Sequence, residues 1–145
     1  MLFQGEKNSL KLDVFNYELP ADGGDPTSDD RNWLILRATY VDEDGDITKD
    51  SNSCLLTYEL QEMTAGLKVL DAGIRDRYES SFTEPYFTLT AQTEGEGFLM
   101  EVSFYLPNTM DGDDTAEVTC HMGREEMTAL LAELDKLCAR FPDRT

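Results

Sequence analysis

The chemically capable residues of this chain are its runs of acids, a single histidine and three cysteines. The acid runs invite a calcium reading. An EF-hand loop needs oxygen ligands at its first, third and fifth positions, glycine at the sixth and a bidentate acid at the twelfth. Setting Asp42, Asp44 and Gly45 at the third, fifth and sixth puts Tyr40 at the first and Ser51 at the twelfth, and neither fits. Asp111 to Asp114 has no such pattern either. Both runs read as polar turns, with no metal and no cofactor expected. His121 falls on an outward parity of its strand, and its neighbour Cys120 points to the opposite face, which speaks against a Cys–His nucleophile. A zinc site would need Cys54, Cys120 or Cys138 to leave the core and join that histidine. No G-x-S-x-G, P-loop or dinucleotide fingerprint is present. A surface carboxylate pair for hydrolysis depends on spatial and not sequential proximity, so it stays as an alternative to a non-enzymatic reading.

Thirty acids against twelve bases give a formal charge of −18 over 145 residues. The excess runs through the whole chain: 12 acids to 5 bases in 1–53, 7 to 3 in 54–94 and 11 to 4 in 95–145. Such a body repels phosphate backbones and anionic lipid, so neither nucleic acid nor membrane is an expected ligand. A cationic protein is the favoured partner, and an acidic adaptor whose charge serves solubility alone is the rival reading. Three cysteines, an odd number, each in a predicted strand or helix, read as reduced packing residues in a reducing, cytoplasmic compartment. No apolar run reaches membrane-spanning length, and no basic or apolar leader is expected at the start.

The elements that must position these residues follow from periodicity. Arg124 to Phe141 carries Met127, Leu130, Leu131, Leu134, Leu137, Cys138 and Phe141 at steps of three and four, an amphipathic helix with Gly123 as N-cap. Glu125 and Glu126 suit its positive end, and Pro142 stops it. A stripe this wide must be covered by apolar surface, which the strands before it supply.

Met1 to Gln4 reads as a short strand. Leu10, Leu12 and Val14 alternate with polar residues, then the phase slips, which predicts a bulge or bend near Val14–Phe15. Pro20 to Asp30 is a loop. Asn32 to Val41 is apolar on both parities and reads as a strand covered on both sides for most of its length. Asp42 to Asp46 is a hairpin turn, and Ile47 to Leu56 returns, polar until Cys54. Leu60, Met63, Leu67 and Leu70 switch to helical spacing, with Thr57 as N-cap and Gly73 as the C′ residue. Arg75 to Ser81 reads as a connector and Phe82 to Ala91 as a strand whose Pro85 places its first half at an edge or bulge. Phe98 to Leu106 and Ala116 to Met122 alternate strictly, which predicts one covered and one wet face.

The expected fold is α+β and a single domain over 1–145: a twisted, mostly antiparallel sheet of six to seven strands with two helices, the last packed on the sheet. A β-sandwich with peripheral helices is the alternative. Thr88, Thr90, Glu101, Ser103, Tyr105, Glu117, Thr119 and His121 are expected to share the wet face. Candidate partner-binding residues are Glu101, Tyr105, Glu117 and His121 there, with Asp42 and Asp44 in one rival acidic loop and Asp111 and Asp113 in another.

Three short stretches add a resemblance: N-W-L at Asn32–Leu34, L-L-T-Y-E-L at Leu55–Leu60 and S-F-T-E-P at Ser81–Pro85. With the closing amphipathic helix, their order and spacing resemble the WapI-like immunity protein family, small acidic bacterial proteins. The resemblance implies a cytosolic protein that binds and blocks a cognate, wall-associated polymorphic toxin with a nuclease domain. It carries over no binding residue position by position, and the side chains of Leu55–Leu60 and Phe82 read as structural.

Overall fold

The computed structural model of the protein describes residues 1–106 and 114–144. Its elements are β1 (Leu2–Gln4), β2 (Ser9–Tyr17), β3 (Trp33–Val41), β4 (Ile47–Leu56), α1 (Thr57–Asp71), β5 (Arg77–Glu79), β6 (Phe87–Glu94), β7 (Gly97–Leu106), β8 (Asp114–Met122) and α2 (Arg124–Arg140). The strands form two antiparallel four-stranded sheets, β1-β2-β3-β4 and β5-β6-β7-β8, each in chain order. The α+β class stands, but a single sheet of six to seven strands is corrected to two sheets with eight strands among the described residues. Alternation reports only which face of a strand is covered, and that reads the same in one sheet or two. The chain changes sheets across α1.

The sheets meet where β8 runs against β1 and β2. Asn8, in the β1–β2 turn, stitches this junction. Its side-chain amide donates to the Glu117 carbonyl at 2.9 Å and to the Tyr40 hydroxyl at 3.0 Å. One apolar cluster fills the interior: Phe3, Leu12 and Leu36 from the first sheet, Phe87, Val102 and Phe104 from the second, Leu60 and Met63 from α1, Met127 and Leu134 from α2. α2 lies against α1 and reaches β7 and β8. Met127, Leu130, Leu131 and Leu134 are buried within it and Phe141 just past it, while Leu137 and Cys138 are half-buried. Gly123 is its N-cap, and the Glu126 carboxylate accepts from the Gly123 amide at 3.2 Å.

The phase slip in β2 is a bulge: Val14 pairs with Leu36 and Asn16 with Ile35, leaving Phe15 as the extra residue. The Arg37 guanidinium lies 3.4 Å over the Phe15 ring. β3 is covered on one side only. Leu34, Leu36 and Ala38 are buried, Arg37 is exposed, and Trp33, Ile35 and Val41 are half-buried. Several boundaries also differ from expectation. Arg77–Glu79, expected as connector, pairs with Thr90–Gln92, and the strand expected from Phe82 begins at Phe87. Pro85 lacks the N–H that a ladder needs there. The α1 N-cap is Leu56, one residue before Thr57, and Gly73 ends the helix at φ +74 as a left-handed C′ residue.

Candidate functional site

The strict alternation of β7 and β8 fixes what the outer face of the second sheet presents, and antiparallel register arranges it in rows. Glu79, Thr90, Glu101 and Thr119 form one row across β5, β6, β7 and β8. Thr88, Ser103 and Glu117 form the next, with the Thr88 and Ser103 hydroxyls hydrogen-bonded at 2.5 Å. Arg77, Gln92, Leu99 and His121 form a third. Tyr105 stands opposite Thr115, its ring stacked on Tyr86 with centroids 5.5 Å apart. All eight residues expected on the wet face therefore share it.

Four glutamates belong to this face, Glu79, Glu94, Glu101 and Glu117, against one arginine from its strands. That arginine, Arg77, donates to Gln92 at 3.0 Å, so its nearest acceptor is a neutral one. His121 Nδ1 sits 2.8 Å from Glu94 Oε1 at the end of the sheet. Thr88, Thr90, Glu101, Ser103, Glu117 and Thr119 line a shallow concavity of ≈ 450 Å³. A second, of ≈ 400 Å³, shares Glu117 and Thr119 with it and adds Glu6, Lys7, Asn8, Glu43 and His121.

The second concavity joins two surfaces that were rivals on sequence grounds. Glu43 sits at the tip of the β3–β4 hairpin between Asp42 and Asp44, so that tip adjoins the β8 face. Asp42 itself is used locally, its Oδ1 accepting from the Asp44 and Asp46 amides at 2.9 Å each. Carboxylate oxygens of Asp42, Asp44 and Asp46 lie within 4.8 Å of one another, the one group of acids among the described residues spaced to hold an ion. Its internal hydrogen bonds are those of a tight turn. Asp111 and Asp113 lie outside the described residues. Acids of the 22–30 loop are engaged within the loop and against α1. Asp25 accepts from the Thr27 amide and hydroxyl, which hold its carboxyl below the usual range, and Asp29 accepts from Tyr58.

Glu94 was missed because the strand was expected to end at Ala91 with a turn after it, whereas β6 runs to Glu94, and Glu79 was hidden because a three-residue strand is too short to show alternation. Glu6 and Glu43 join the face only through the β1–β8 junction. Cys54 and Cys120 are buried, Cys138 is half-buried, and all three are free thiols. Burial, then the charges of Glu59 and Glu84, push the Cys54 thiol up to about 12, so it is no nucleophile near neutrality. No helix among the described residues is long and apolar enough to cross a membrane.

A family model described as the immunity protein WapI-like family matches residues 1–142. No curated protein matches the chain. Among solved structures it is similar to WHY1 from Arabidopsis thaliana, with a TM-score of 0.56 and 16% identity over 97% of this chain and 88% of that one. WHY3 from the same plant follows at 0.55 and 14%, over 97% and 86%. The plant transcriptional regulator PBF-2 follows at 0.51 and 15%, over 96% and 79%. At such identities these likenesses establish a shared fold alone.

Proposed function

The chain belongs to the immunity protein WapI-like family, and on that premise we propose that it neutralises a cationic nuclease toxin domain in the cytosol by covering it with the acidic face of the second sheet. A nuclease must present positive charge to hold phosphates, and a dense negative surface is complementary to the same cleft. The protein makes and breaks no bond in this reading.

One observation carries it. Glu79, Glu94, Glu101 and Glu117 lie on one sheet face that continues, through the shared concavity, to Glu6 and Glu43. Fields of this kind raise association rates by roughly 10- to 1,000-fold and fade as salt shortens the screening length to about 8 Å at physiological ionic strength.

The test is co-expression with toxin domains encoded beside the gene, together with stopped-flow association. Glu101→Lys with Glu117→Lys is expected to slow association at least about tenfold at low salt and to abolish rescue. Glu18→Lys with Asp22→Lys changes net charge equally in a loop off this face and is the control. Equal loss in both pairs would leave only net charge at work and sink the face assignment. Rescue from no adjacent toxin would sink the function.

A further inference from the structure

The outer faces of the two sheets carry opposite charge. On the first sheet the register places Leu2, Lys11, Thr39 and Lys49 in one row, Asp13, Arg37 and Ser51 in the next, and Val41 beside Ile47 at the end. Its outward strand residues thus include Lys11, Arg37 and Lys49 against Asp13 alone, in a chain where acids outnumber bases by 30 to 12. The same face holds Leu2, Phe15 and Ile47, exposed by 57%, 46% and 63%. Among the described residues they are three of the four exposed large apolar side chains; the fourth is Ile74.

We propose that this cationic, partly apolar face docks on the acidic outer face of a second copy of the chain, giving weak head-to-tail self-association that a bound toxin displaces. Charge complementarity selects the occupant. Lys11, Arg37 and Lys49 oppose Glu79, Glu101 and Glu117, whereas two copies meeting through their first sheets would set cations against cations. Net charge opposes association over long range, but at about 0.15 M salt screening acts beyond about 8 Å and leaves contact pairs in command. Strand spacing of about 4.8 Å and a rise of about 3.3 Å per residue give each face roughly 500 Å², hence about 1,000 Å² in total, the size of a transient interface. A contact using different patches on the two copies does not close on itself as a two-fold dimer does.

Sedimentation velocity on the full chain tests this, with Lys11→Glu/Lys49→Glu and Glu101→Lys/Glu117→Lys as variants whose fold is checked by circular dichroism. The wild type is expected to gain mass with concentration from about 100 µM, most strongly near 0.15 M salt and less at both about 0.01 M and 1 M. Each variant alone stays monomeric. Their equimolar mixture associates although neither variant does alone, because the intact faces, and likewise the two charge-reversed faces, are complementary across the variants. A monomeric wild type up to about 1 mM, or a glutamate variant that dimerises alone, overturns the proposal. The displacement clause rests on the toxin-binding reading. The lysine variant should bind toxin unchanged, and toxin should disperse wild-type assemblies. Toxin that binds without dispersing them would overturn displacement and the toxin-face assignment while self-association stands.

Discussion

Glu59 accepts hydrogen bonds from both the amide and the hydroxyl of Thr83, at 2.7 and 3.1 Å, through one carboxylate oxygen. Its other oxygen accepts from the Leu56 amide at 3.0 Å, and the side chain is 97% removed from solvent, at 3% exposure. Glu59 sits in the L-L-T-Y-E-L stretch and Thr83 in S-F-T-E-P. The third stretch joins them, since Trp33 pairs with Leu56 and buried Asn32 accepts from the Arg144 amide at 2.7 Å. Three short segments, far apart in the chain, thus brace the point where the first sheet hands over to α1.

Removing that carboxylate should cost stability well beyond one ordinary hydrogen bond, because three donors lose their acceptor. Glu59→Ala is expected to lose about 2–4 kcal/mol and Thr83→Ala about 1 kcal/mol. Urea denaturation of both singles and the double should show a coupling of about 0.5–2 kcal/mol, whereas strict additivity would mean the contact contributes nothing.

Gly66 in α1 should resist replacement despite its poor helix propensity. Alanine in a helix interior gains about 0.5–1 kcal/mol. Here its Cβ would stand 2.4 Å from two ring carbons of Tyr78 on β5. Overpacking of this kind costs about 1–3 kcal/mol, so Gly66→Ala is expected to lower stability overall. In a Tyr78→Val background the sign should reverse, which thermal unfolding of the pair can read.

Alkaline pH should weaken the fold. The Cys54 thiol is pushed up to about 12 from its ordinary 9.0, by burial first and then by nearby Glu59 and Glu84. Up to pH 9 both states keep the proton, and between 9 and 12 only the unfolded chain releases it. Stability therefore falls across that window by about 1.4 kcal/mol per pH unit from this group. Tyr78, raised from 10.0 to about 12 mainly by burial, adds a smaller loss in the upper part of it. Cys54→Val should flatten the slope in urea titrations between pH 8 and pH 11; an unchanged slope would place the effect elsewhere.

Calcium should bind no better than about millimolar at the hairpin tip, since a tight site surrounds the ion with six to eight oxygens. Asp42, Asp44 and Asp46 form a cluster of only three carboxylates, and Asp42 already serves two backbone amides. Calorimetry showing affinity tighter than about 0.1 mM would overturn this.

The residue order alone determined which side of β7 and β8 is wet. Phe98, Met100, Val102, Phe104 and Leu106 alternate with Glu101, Ser103 and Tyr105 because a pleated backbone turns neighbouring side chains to opposite faces. The same local geometry made the Phe15 bulge, the last helix and the Gly73 stop legible. Tertiary structure decided what no local period encodes. It divided the strands into two sheets, recruited Arg77–Glu79 to an edge, and left Phe82 to Pro85 as a loop braced on Glu59. It also carried Glu43 to Glu117 across the β1–β8 junction, so that a hairpin tip and a sheet face became one acidic surface. Periodicity reports the environment of one segment; which segments meet is set by burying all the apolar faces at once, a property of the whole chain.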